Sequence, residues 1–86
     1  MGKIQVMIFG FGCSLFRLLM DNLHAASVEL GIELEVEEVT DIQAMLDLGV
    51  SAIPALAIQG QVVVSGQVPA VHELAAHLQK HGKQAE

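Results

Sequence analysis

The chain contains a single cysteine, Cys13, so no internal disulfide can staple it and a disulfide-built scaffold is excluded. It has no tryptophan or tyrosine and only three phenylalanines. The hydrophobic 52% of its 86 residues must therefore pack as an aliphatic core of Val, Ile, Leu, Ala and Met. Such a core suits a sheet covered by helices. Basic residues are also scarce, 4 against 10 acidic ones, for a formal net charge of −6. That balance repels phosphate backbones and anionic bilayers, which argues against nucleic-acid and membrane partners. The apolar stretch from Ile4 to Phe16 is too short and too interrupted to span a bilayer, and Gly10-Phe11-Gly12 is a poor signal-peptide cleavage site. The expectation is one small domain in a reducing, cytoplasmic compartment.

What is present reads as seven elements. Lys3 to Phe9 is a β-rich apolar run ended by Gly10-Phe11-Gly12, a first strand. From Cys13 to about Leu30 the spacing turns helical, with Leu15, Leu18, Leu19, Leu23, Ala26 and Leu30 as its inward stripe and Gly31 as its cap. Ile32 to Glu38 alternates: Ile32, Leu34 and Val36 point one way and Glu33, Glu35 and Glu37 the other. This predicts a strand with one buried face and an acidic outer face, suited to a protected sheet edge. Thr40 or Asp41 can cap a short helix through Leu48, with Ile42, Met45 and Leu46 inward and Gly49 ending it.

Ala55 to Ile58 and Gln61 to Val64 form a hairpin about Gln59-Gly60. Pro69 fits the first turn of a last helix, whose inner stripe is Val71, Leu74, Ala75 and Leu78. Residues 82–86 are polar and expected to fray. The order β-α-β-α-β-β-α, with a helix joining the first two strands, predicts an α/β fold: a four-stranded mixed sheet with helices on both faces.

Cys13 stands where the first strand gives way to a helix. A sulfur there meets unpaired backbone N–H groups and the positive end of the helix dipole, both of which favour thiolate over thiol. Arg17, one turn on, shares its face and can add favourable charge or simply be solvated. The bland alternative for Cys13 is a small buried hydrophobe. Phe16 occupies the position at which a dithiol site would carry its second sulfur, and it can equally be a core filler. Pro54 follows Ile53, and an X-Pro bond makes the cis form accessible. His77 and His81 lie one turn apart, but two ligands alone make a weak metal site. His24 and His72 are isolated, so no metal site is expected.

The element order, Gly10-Phe11-Gly12-Cys13, Glu35-Val36-Glu37-Glu38, Pro54-Ala55-Leu56, Gly60-Gln61-Val62-Val63-Val64 and Gly66-Gln67-Val68-Pro69 together resemble the thioredoxin/glutaredoxin superfamily. More narrowly, the chain is similar to small prokaryotic thioredoxin-like redox proteins. The resemblance implies one thioredoxin-like domain over residues 1–86, with Cys13 as the nucleophilic cysteine and Pro54 as the cis-proline across the cleft. It places the second active-site cysteine on Phe16, where this sequence departs. Gly12, Ser14, Ile53 and Pro54 are then the substrate-binding positions, and the backbone of Ile53 would pair with an extended peptide or with glutathione.

Without a resolving thiol, the expected activity is monothiol exchange or mixed-disulfide formation through Cys13, with glutathione as possible co-substrate or with a partner protein. No bound cofactor is expected, and the chain would be a monomer or a weak homodimer. Two other readings compete. One is a redox-inactive module that holds a partner peptide in the cis-proline cleft. The other is dimeric iron–sulfur carriage of the monothiol glutaredoxin type, whose Cys-Gly-Phe-Ser pattern Cys13-Ser14-Leu15-Phe16 does not match.

Overall fold

The computed structural model describes residues 3–81, so the expectation for 82–86 lies outside the described residues. Its elements are β1 (Ile4–Phe9), α1 (Ser14–Leu30), β2 (Leu34–Val39), α2 (Ile42–Leu48), β3 (Ala55–Ile58), β4 (Gln61–Ser65) and α3 (Val71–His81). The strands form one sheet in the order β2-β1-β3-β4, an α/β thioredoxin-like arrangement with the predicted sequence of elements. β1 runs parallel to β2 and antiparallel to β3, and β3 and β4 form the hairpin. The turn between them places both Gln59 (φ 54°) and Gly60 (φ 84°) in the left-handed region, as a two-residue primed turn demands.

The pleat divides the core into two layers. Val6, Ile8, Leu56, Ile58 and Val64 meet Leu19 and Leu23 of α1 and Leu74 and Leu78 of α3. On the opposite face, Phe9, Val39, Ala55 and Ala57 meet Met45 of α2 in a smaller cluster. A 17-residue helix and an 11-residue helix cover one side, and a 7-residue helix covers only part of the other. Caps match the sequence: Asp41 accepts from the Gln43 amide at 3.0 Å, and Gly31 and Gly49 close their helices in the left-handed conformation. Asn22 donates to the Pro69 carbonyl at 3.0 Å, fastening α1 to the lead-in of α3.

Four expectations need correction. β2 has no buried apolar face: Leu34 is half-buried, Val36 is 41% exposed and only Val39 is buried, because β2 is the edge of the sheet. The inward stripe of α1 is Phe16, Leu19, Leu23, Ala26 and Ser27, while Leu15 and Leu18 face solvent at 52% and 47% exposure. In the first turn apolar residues stand on several sides, and the direction in which the strand exit aims the helix selects among them. In α2 only Met45 is buried, and Ile42 and Leu46 are exposed, because the short helix touches the sheet along a single line. Pro69 precedes α3 rather than sitting in its first turn. Ala70 caps that helix, its carbonyl accepting from Glu73 and Leu74 and its amide donating to the Glu73 carboxylate at 3.0 Å.

Candidate functional site

β1 and β3 are antiparallel partners, with Phe9 opposite Ala55. The segment leaving β1, Gly10 to Cys13, and the segment entering β3, Ile53-Pro54, therefore emerge side by side at one end of the sheet. The ends of β2 and β4 join them there: Gly10 donates to the Val39 carbonyl at 3.2 Å, and Ser65 pairs with Ala55. This end gathers the residues that the sequence singles out around Cys13 and Pro54.

Cys13 is the N-cap of α1, with extended backbone (φ −71°, ψ 175°). Its carbonyl accepts from the Arg17 amide at 3.0 Å, the first hydrogen bond of the helix. Its thiol is free, exposed and makes no capping hydrogen bond, so the sulfur is open to attack an incoming disulfide. The first turn of α1 carries no acidic side chain to repel a thiolate. Gly12 before it, at φ +79°, has the left-handed backbone that lets the chain turn sharply into the helix. Ser14 opens the helix and is exposed.

Phe16 is 5% exposed and belongs to the core beneath α1. Its ring lies against Gly10 so closely that a Cβ on Gly10 would stand 2.5 Å from Cδ1. Three residues after Cys13, then, there is a packed aromatic ring and no second thiol. Arg17 is exposed and lines a shallow groove of about 350 Å³ with Gly12, Met20, Asp21 and Glu38.

Across the cleft, the Ile53–Pro54 peptide bond is cis, Pro54 is buried and Ile53 is 40% exposed. The Pro54 carbonyl accepts from the Gly66 amide at 2.7 Å. Gly66 itself has φ +73°, and a Cβ there would come within 2.8 Å of the Ala52 methyl. The sequence pattern pointed to Gly66 only through a family likeness; the structure shows it as a close-approach position that shapes the Pro54 segment. Phe11, which no period in the sequence marks, and Leu15, which the helical spacing places inward, flank Cys13 in sequence and expose 56% and 52% of their surface. An exposed Phe beside a Gly-x-Gly turn is the signal that would have found Phe11.

His77 and His81 stack at a centroid distance of 6.0 Å, and no cluster of three or more metal-ligating side chains occurs among the described residues. No described helix is long and apolar enough to cross a membrane.

The comparisons with known proteins agree with this geometry. Residues 3–79 match the thioredoxin domain. The chain is 32% identical over 71 residues to a thioredoxin of Methanothermobacter thermautotrophicus, covering 83% of this chain and 92% of that protein. It is 31% identical over 78 residues to a thioredoxin of Methanocaldococcus jannaschii, covering 91% and 90%. Among solved structures, a malarial protein superposes with a TM-score of 0.67 over 93% of this chain and 98% of that one, at 13% identity, a likeness of fold alone. With its sheet order, its cysteine at the head of α1 and its sequence matched from residue 3 to residue 79, the chain belongs to the thioredoxin domain family.

Proposed function

We propose that this chain is a monothiol member of the family, exchanging disulfides through Cys13 alone in a reducing compartment. The observation that carries the reading is the pairing of an exposed N-cap cysteine with a buried Phe16 three residues later. In the exchange, the Cys13 thiolate attacks one sulfur of a disulfide. The old S–S bond breaks, a mixed disulfide forms at Cys13, and the other sulfur leaves as thiolate and takes a proton from water. A dithiol site would release its product by attack from its own second sulfur at high effective concentration. Here release falls to an external thiol, either glutathione or a thiol of the partner protein, so the mixed disulfide is long-lived. Gly12, Ser14, Ile53 and Pro54 are the positions that would border the bound disulfide.

A redox-inactive binding role is the second reading, favoured by the exposed apolar side chains of Phe11, Leu15 and Ile53 around the cysteine. One experiment separates the two. The folded protein is treated with glutathione disulfide, its intact mass is followed, and excess glutathione is then added. A single glutathionyl adduct that glutathione removes supports exchange. An unreactive Cys13 in the folded protein, reactive only in urea, establishes the binding module instead.

A further inference from the structure

The acidic strand β2 is one edge of the sheet, and its backbone has a definite free side. Ile4 donates to the Glu33 carbonyl and Gly10 to the Val39 carbonyl, so the odd-numbered residues of this strand turn their backbone groups toward β1. By the two-residue period of a strand, Leu34, Val36 and Glu38 turn theirs to the open edge. Their neighbours differ on the two faces. On the α1 side lies an apolar trough of about 720 Å³ whose walls include Met20, Leu23, Val28, Leu34 and Val36, with Val28 and Val36 exposed at 66% and 41%. Met20 and Asp21 also line the groove that reaches Gly12, so the trough continues along α1 toward the Cys13 end. On the α2 side the strand presents Glu35 and Glu37, exposed beside a second groove of about 490 Å³ that includes Gln5 and Gly60.

We propose that the free edge of β2 and the trough beside it dock an extended segment of a partner protein whose side chains alternate between apolar and cationic. Strand addition supplies main-chain hydrogen bonds to Val36, and the alternation of the added strand sends every second side chain to each face. On one face an apolar residue covers Val36 and Val28. On the other a lysine or arginine stands beside Glu35 and Glu37, a cross-strand charge pair. The charge pattern selects this occupant over a second copy of the chain. An edge-to-edge β2 pair would bring Glu35 and Glu37 of two copies together on one face, each copy carrying a net charge of −6.

The test uses a short fluorescent peptide of alternating lysine and valine, titrated by polarisation against the full chain carrying Cys13→Ser, which keeps thiol chemistry out of the readout. Binding is expected for this peptide and not for its glutamate-for-lysine counterpart. Val36→Pro removes an amide that faces outward, a change an edge strand tolerates, and weakens binding by about tenfold or more while circular dichroism stays native. Val28→Lys, on the solvent face of α1, gives the same loss without touching the strand. Glu35→Gln with Glu37→Gln weakens binding by about threefold to tenfold. Equal binding by Val36→Pro and Val28→Lys, or equal binding of the acidic peptide, overturns the proposal. A dimer seen by light scattering that Val36→Pro dissociates also overturns it, since a second copy would then be the occupant.

Discussion

The ring of Phe16 rests on the backbone of Gly10: a methyl group added to Gly10 would stand 2.5 Å from ring atom Cδ1. Phe16 is thus built into the wall of the strand exit that leads to Cys13. Gly10→Ala is expected to destabilise the fold by about 1–3 kcal/mol through overpacking. Combining it with Phe16→Leu should recover part of that loss, because the smaller side chain yields the space. Urea unfolding of the two single variants and the double variant measures the coupling. Strictly additive effects would show that the two residues do not press on each other.

Phe16→Cys tests whether the architecture still accommodates a dithiol. Emptying a packed aromatic site is expected to cost about 2–4 kcal/mol in the reduced protein. The new thiol, one turn from Cys13, should close an internal disulfide on mild oxidation, read as loss of two hydrogens by mass and loss of both alkylatable thiols. The oxidised variant should then reduce and reoxidise as a pair and accelerate insulin reduction by dithiothreitol, whereas the parent chain is expected to stay at the level of Cys13→Ser. A variant that stays folded but accumulates only glutathione adducts would mean that position 16 cannot reach the first sulfur.

In α2 the burial contrast is sharp, with Met45 at 6% exposure and Leu46 at 65%. Met45→Ala should cost about 2–3 kcal/mol, since it opens a hole between Phe9 and Val39. Leu46→Gln should leave stability within about 0.5 kcal/mol of the parent. Thermal melts of both variants decide the matter, and a comparable loss from Leu46→Gln would mean that the helix is rotated about its axis.

Gln59 adopts φ 54°, a conformation in which asparagine is several-fold more at ease than glutamine. Gln59→Asn should therefore stabilise the hairpin by about 0.5 kcal/mol and raise Tm by about 2–4 °C. An unchanged or lowered Tm would show that the Gln59 side chain contributes contacts that asparagine cannot replace.

Much of this architecture is legible in the sequence because local chemistry writes it there. The glycines at 31 and 49 close helices, Asp41 opens one, and the run from Leu34 to Val39 marks a strand, though not how little of it is buried. Cys13 is legible as a candidate because a lone cysteine falls where a strand gives way to a helix, and Pro54 joins it only through the family resemblance. What is not legible depends on approach rather than spacing. Leu15, Phe16, Leu18 and Leu19 surround the start of α1, and only the tilt set by the Gly10 contact buries Phe16 and Leu19 while exposing the other two. Ile42, Met45, Leu46 and Leu48 crowd a helix of seven residues, too short for a period to define a face. The role of Gly66 is set by Ala52, a neighbour distant in sequence whose methyl no pattern reveals.

The placement of β1 between β2 and β3 bears on how the chain acquires its shape. β1 is an interior strand whose partners lie far along the chain: Val6 pairs with Val36 on one side and with Ile58 on the other. Neither pairing is local, so loop closure precedes most of the gain in burial. Until Ile58 has been made, the edge of β1 that β3 will cover stays open. Helix α1 is the longest element that local contacts alone can build, and it carries Cys13 at its head.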